Sequence, residues 1–136
     1  MRSPQALLDT DVLSAVMRKH PIAMARAQAY LAVHHRFTIS IITRYEVLRG
    51  LKAKNASSQL VAFDRFCTAS RIIRLTDGIV EQAADIYADL HRCGQLIGDA
   101  DILIAASALA HGFVLITNNE EHFKRVSGLR MENWLR

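Results

Sequence analysis

The chain is short of the features that would send it to a membrane or an oxidising compartment. No apolar run approaches the roughly 20 residues needed to cross a bilayer, and no apolar signal segment precedes the first strand-like stretch. The expected compartment is the cytoplasm, with no membrane partner. Only two cysteines occur, Cys67 and Cys93. They are widely separated, and no Cys/His spacing suggests zinc, so both are expected as free thiols. Internal repeats, low-complexity tracts and linkers are missing too. No Gly-rich loop is suited to cradling a nucleotide phosphate. Neither Ser14 nor the six histidines stand in a nucleophile–base pattern, and structural or surface roles are expected for them.

What remains is a chain of 136 residues, 51% hydrophobic and 22% charged, enough for one domain with its own core. Formal net charge is +4, a balance that favours polyanionic partners. Short β-rich runs alternate with helical patterns. Ala6–Leu8, Phe37–Ile41, Arg71–Leu75 and Phe113–Ile116 read as strands, and Leu129–Trp134 as a last edge strand. Helical patterns cover Asp11–Val16, Ile22–Val33, Ile42–Lys54, Ala56–Cys67, Thr76–Arg92, Ile102–Ala110 and Glu120–Lys124. Ser57 or Ser58 is the expected cap of the fourth helix. The alternation predicts an α/β fold: a three-layer α/β/α sandwich with a mainly parallel central sheet.

Acids follow the strands. Asp9 and Asp11 come after the first, and Glu46 follows the second through Thr43. Asn118, Asn119, Glu120 and Glu121 follow the fourth, while Asp99 and Asp101 open the nearly all-apolar helix that leads into it. In an open parallel sheet these positions share the carboxyl edge, where ligands bind. Each also has a plain structural role open to it. Asp11 and Asp99 fit helix N-caps, and Thr43-Arg44-Tyr45-Glu46 fits a capping box. Asn118 or Asn119 fits a cap on the last helix. Asp101 is harder to assign to a cap, because it stands at the mouth of an apolar helix. Jointly the acids make a stronger case: clustered carboxylates repel, and a hard divalent cation removes that cost. Such a cation activates water and stabilises phosphoryl charge, while surrounding Lys and Arg hold a polyanion.

Four stretches carry a resemblance. Leu7-Leu8-Asp9-Thr10-Asp11-Val12-Leu13-Ser14, Thr43 to Gly50, Ile97 to Ala106, and Leu115 to Asn119 with His122-Phe123 resemble, in order and spacing, the acidic motifs of PIN-domain ribonucleases. Among these the chain is most similar to the VapC-type toxins of bacterial toxin–antitoxin pairs. Val126 to Leu129 and Glu132-Asn133-Trp134 resemble the usual ending, so the likeness spans essentially the whole chain as a single PIN domain, residues 1–136.

The resemblance implies an endoribonuclease dependent on Mg²⁺ or Mn²⁺, leaving a 5′-phosphate and a 3′-hydroxyl. Its core acids map to Asp9, Glu46 and Asp101, as catalytic and metal-holding residues. Asp99, Asp11, Asn119, Thr10 and Thr117 are secondary candidates. Many PIN domains carry Asp where this chain has Asn119; one fewer negative charge points to one metal rather than two. Arg44, Arg49, Lys124 and Arg125 are candidates for RNA backbone contacts, or else lie on solvated helix faces. The family resemblance also implies a homodimer and a cognate VapB-like antitoxin. Tyr45, Leu48, Leu51, Phe63 and Phe66 either line the groove for such a partner or belong to the core. Two other readings fit the acids: a non-catalytic RNA- or protein-binding module, and a metal phosphohydrolase acting on small phosphoesters.

Overall fold

A computed structural model of the protein describes residues 4–136; the first three residues of the expected domain lie outside that description. Strands β1 (Ala6–Leu8), β2 (Thr38–Ser40), β3 (Arg71–Ile73), β4 (Val114–Ile116) and β5 (Met131–Glu132) form one sheet in the order β3-β2-β1-β4-β5. Every pairing is parallel, with Leu8 opposite Ile39 and Ile116. The helices are α1 (Thr10–Met17), α2 (Pro21–His34), α3 (Ile41–Ala53), α4 (Ser57–Thr68), α5 (Asp77–Arg92), α6 (Asp99–His111) and α7 (Glu120–Phe123). None of the described helices is long and apolar enough to cross a membrane.

Strand alternation explains the three layers. Successive side chains of a strand point to opposite faces. Ala6 and Leu8, Val114 and Ile116, and Ile39 join the cluster built with Val12, Leu13, Ala27, Val47 and Phe63 of α1–α4. Leu7, Leu115 and Ile73 join the other cluster, with Ile79, Ala83 and Ile86 of α5 and Ile102, Ile104 and Ala105 of α6. Burial on both faces is why the central strands β1 and β4 read as continuous apolar runs rather than alternating ones. In α6, Ala105, Ala106 and Ala108 are all fully buried, and their small side chains let α6 pack between the sheet and α5.

The strands are shorter than the sequence suggests. Phe37 and Ile41 flank β2, since Ile41 already begins α3. Arg74 and Leu75 fall outside β3, and only Met131 and Glu132 of the last stretch pair. Several caps also differ. Ser40 caps α3 by accepting from the Ile42 amide, so Thr43 and Glu46 lie inside the helix and form no capping box. Asp9, not Asp11, takes the N-cap position of α1, and Gly98, not Asp99, that of α6. Ala56 precedes α4, which has no side-chain cap from Ser57 or Ser58. Thr76 does cap α5, accepting from the Ile79 amide at 3.2 Å. The two thiols are free, Cys67 buried and Cys93 exposed.

The chain leaves β1 towards β2 and β3, then returns to β4 and β5 on the other side. The direction of winding therefore reverses between β1 and β4. In parallel α/β sheets this switch point opens a crevice at the carboxyl ends of the strands. Asp9 directly follows β1, and Thr117 directly follows β4.

Candidate active site at the switch point

Two loops are tied across the crevice. The Thr117 hydroxyl donates to Asp9 Oδ2 at 2.7 Å, and the Asn118 amide donates to Asp11 Oδ2 at 3.1 Å. Asp9 Oδ1 accepts from the Thr10 amide at 2.8 Å, and Asp11 Oδ1 from the Val12 amide at 2.7 Å. Each acid is thus fixed by one bond from the next residue along the chain and one from the segment across the switch point. Thr117 is itself held, since its hydroxyl oxygen accepts from the Asn119 amide at 2.9 Å.

Glu46 reaches the same crevice from α3. The Thr10 hydroxyl donates to Glu46 Oε1 at 2.6 Å and is shared with Thr43 Oγ1 at 3.2 Å. Thr43 is fully buried, so it acts as a fixed post for Thr10. Arg49, one turn on from Glu46, places its guanidinium 3.8 Å from Glu46 Oε2. From the first turn of α6, Asp101 Oδ2 stands 3.6 Å from His122 Nδ1, and that nitrogen is 2.9 Å from Asn119 Nδ2. The Asn119 side chain is therefore turned to His122 and does not cap α7.

The electrostatics are those of crowded acids. Burial, with the Asp11 charge beside it, pushes the Asp9 carboxyl up to about 7. The bonds from Thr117 and Thr10 oppose that rise, and Asp101 adds to it. Asp11 is also raised, first by burial, against the Val12 and Asn118 amides. Asp101 is raised by burial and by the Glu46 charge, with His122 acting in the opposite sense. Asp9, Asp11, Glu46 and Asp101 are therefore coupled through their charges, although three separate stretches of chain supply them.

The donor set is hard: carboxylate, hydroxyl and amide oxygens, the chemistry that suits Mg²⁺ or Mn²⁺. As the side chains stand, no three His, Cys, Asp or Glu among the described residues gather into a set that could hold a metal ion. Each carboxylate oxygen has two lone pairs, so a single accepted bond leaves one for a cation. The residues fit such an ion in donor chemistry and in the crowding of their charges.

The remaining candidates lie elsewhere. Asp99 is exposed on the first turn of α6, beside Val80 and Tyr87 of α5, and is not among the charges that shift Asp9, Asp11 or Asp101. Arg44 lies against Cys67, whose thiol is raised by burial and lowered by that guanidinium. Lys124 pairs with Glu121 at 2.8 Å, and Arg125 donates to the carbonyls of Gln95 and Leu96. Of the four basic candidates, Arg49 is the one in contact with a crevice acid. Phe63 is core, while Leu48, Leu51 and Phe66 pack against it; Tyr45 alone of the proposed groove residues is exposed. Sequence reasoning missed His122, which was grouped with surface histidines. The signal that could have found it is its place in the fourth of the resembling stretches, beside Phe123.

Comparison with known proteins agrees with this geometry. The PIN domain family matches residues 6–129. Ribonuclease VapC2 of Rickettsia felis is 31% identical over 129 residues, covering 94% of this chain and 96% of the relative. The tRNA(fMet)-specific endonuclease VapC of Shigella flexneri is 26% identical, covering 94% and 96%. Among solved structures, VapBC2 from Rickettsia felis, bound to a DNA fragment from its promoter, aligns with a TM-score of 0.85 at 29% identity over 95% of this chain and 98% of the other. With its acids gathered where an all-parallel sheet reverses its winding, and with relatives matching from end to end, the chain belongs to the PIN-domain family, among the VapC ribonucleases.

Proposed function

We propose that the protein is a metal-dependent endoribonuclease and the toxin of a type II toxin–antitoxin pair. The observation that carries this reading is the pair of cross-crevice ties, Thr117 to Asp9 and Asn118 to Asp11, which hold buried acids together with Glu46 and Asp101 close by. Holding carboxylates so close raises their proton affinity and lowers stability at neutral pH, a cost that makes sense where a cation relieves it. Asp9 and Asp101, with Glu46, are the residues that would hold Mg²⁺ or Mn²⁺. When bound, the ion supplies an activated water and charge stabilisation for phosphodiester hydrolysis. Thr10 and Thr117 orient the Glu46 and Asp9 carboxylates. Asp11 braces the two loops, and Asn119 holds His122 beside Asp101. The products expected are a 5′-phosphate and a 3′-hydroxyl.

The partner side of the proposal is supported by the Rickettsia structure, a VapBC2 complex: a VapB-like antitoxin is the expected inhibitor. A homodimer belongs to the same proposal, and the exposed Val80 and Tyr87 on α5 offer it an apolar face. Sedimentation of the purified chain tests that part. For the chemistry, RNA cleavage is measured with Mg²⁺ or Mn²⁺, with EDTA, and for Asp9→Asn and Asp101→Asn. Cleavage lost in EDTA and in both variants is expected; cleavage that survives Asp9→Asn in EDTA would sink the mechanism. A non-catalytic binding module has one observation in its favour, that among the described residues no three His, Cys, Asp or Glu gather into a set that could hold an ion. Calorimetric titration with Mn²⁺ separates the two, since the nuclease reading requires binding that Asp101→Asn weakens.

A further inference from the structure

The structure assigns Tyr45 a role of its own: we infer that its ring is a stacking platform for an unpaired RNA base, with Arg49 linking that nucleotide to the acidic crevice. The inference rests on the ribonuclease reading and names the form of substrate the site takes.

Tyr45, Glu46 and Arg49 make a continuous strip on α3. Glu46 lies in the crevice, and Arg49 sits one turn further along, near both Glu46 and Tyr45. The Arg49 guanidinium lies over the Tyr45 ring, 5.2 Å from its centroid, and 3.8 Å from Glu46 Oε2. At that second distance it makes no hydrogen bond, so its donors are open to a phosphate. Tyr45 is 58% exposed, the most exposed large hydrophobic side chain among those described, while Thr43 and Val47 of the same helix are buried. The ring lies outside both core clusters, with the Arg49 guanidinium against it and much of its surface exposed. An aromatic ring with an adjoining guanidinium, next to a site for phosphodiester chemistry, matches a polyanion whose monomers carry flat π faces. Stacking on Tyr45 requires a base free of its own helix, so the substrate class is RNA that is single-stranded at this nucleotide.

Steady-state cleavage of a short oligoribonucleotide by the full chain with Mn²⁺ tests this. Tyr45→Ala is expected to raise KM about five- to a hundredfold while kcat stays within about threefold. Tyr45→Trp should restore the wild-type KM, and Tyr45→Leu should not. Oligonucleotides with a single abasic site moved along the strand give a second readout. At one position the wild type should fall to the level of Tyr45→Ala, and the variant should lose nothing further. Pairing that nucleotide in a duplex should cost the wild type as much. An unchanged KM in Tyr45→Ala, or full rescue by Tyr45→Leu, would overturn the assignment. So would a Tyr45→Ala protein that cleaves normally but escapes inhibition by the antitoxin, which would make the ring a protein-docking residue. Absence of cleavage by the wild type with any divalent ion would count instead against the proposed function, and is seen before any variant is made.

Discussion

The Thr117 hydroxyl holds an unusual position, donating to Asp9 while accepting from the Asn119 amide. Its bond is one of two that keep the Asp9 carboxyl from rising beyond about 7. Thr117→Val should therefore move the Asp9 titration in metal-free protein to higher pH, and Thr117→Ser should not, as read by carboxyl carbon NMR. With metal, Thr117→Val is expected to lower cleavage about 10- to 100-fold, the range for losing a side chain that orients a metal-holding group. The sign of the Asp9 shift has a second consequence. A carboxyl raised from 3.8 to about 7 in the folded state keeps its proton over an interval where the unfolded chain has lost it. Its contribution is fully favourable below that interval and is lost as pH rises through it. In EDTA at pH 8, Asp9→Asn should accordingly be more stable than the wild type, on the order of 2 kcal/mol, and at pH 4 the difference should close. Adding Mn²⁺ at pH 8 should reverse the ranking, which thermal melts would show.

The elements separate what a sequence can reveal from what it cannot. The strands β1 and β4 and the helix α6 were legible because two-sided burial writes itself as unbroken apolar runs, and β2 because Phe37-Thr38-Ile39-Ser40-Ile41 is rich in β-branched and aromatic residues. Caps were less so, since their motifs are short and recur by chance. Thr43-x-x-Glu46 has the spacing of a capping box, yet Ser40 had already capped α3 three residues earlier. Ser57 and Ser58 stand at the right place and cap nothing, while Thr76 does. Thr76→Ala should thus cost about 1 kcal/mol of stability, and Ser57→Ala about 0.5 kcal/mol or less, measured by urea unfolding. The site was legible in its acids, whose placement after successive strands pointed to one edge. It was not legible in the bonds that arrange them. Thr10 to Glu46 and Thr117 to Asp9 join residues 36 and 108 positions apart, and no local pattern encodes such a pair. His122 sits on a helix of four residues, too short for any periodicity to mark its face.

For the molecule as a whole, a net charge of +4 coexists with a pocket of clustered acids, so the rest of the surface is more basic than the total implies. RNA binding should weaken steadily with salt, each phosphate contact adding about 0.7 to the slope of log affinity against log salt for a single strand. Removing Arg49 by Arg49→Ala should lower that slope; Lys124→Ala, already paired with Glu121, should change it less. The sheet order β3-β2-β1-β4-β5 sets a schedule as well. Synthesis delivers Asp9 first and Thr117 108 residues later, and the central strand β1 waits for β4 to close its second side. A growing chain on the ribosome therefore carries its acids without the crevice that arms them. Under the proposed function, a nascent chain that has not yet reached β4 cannot cut RNA in the cell that makes it.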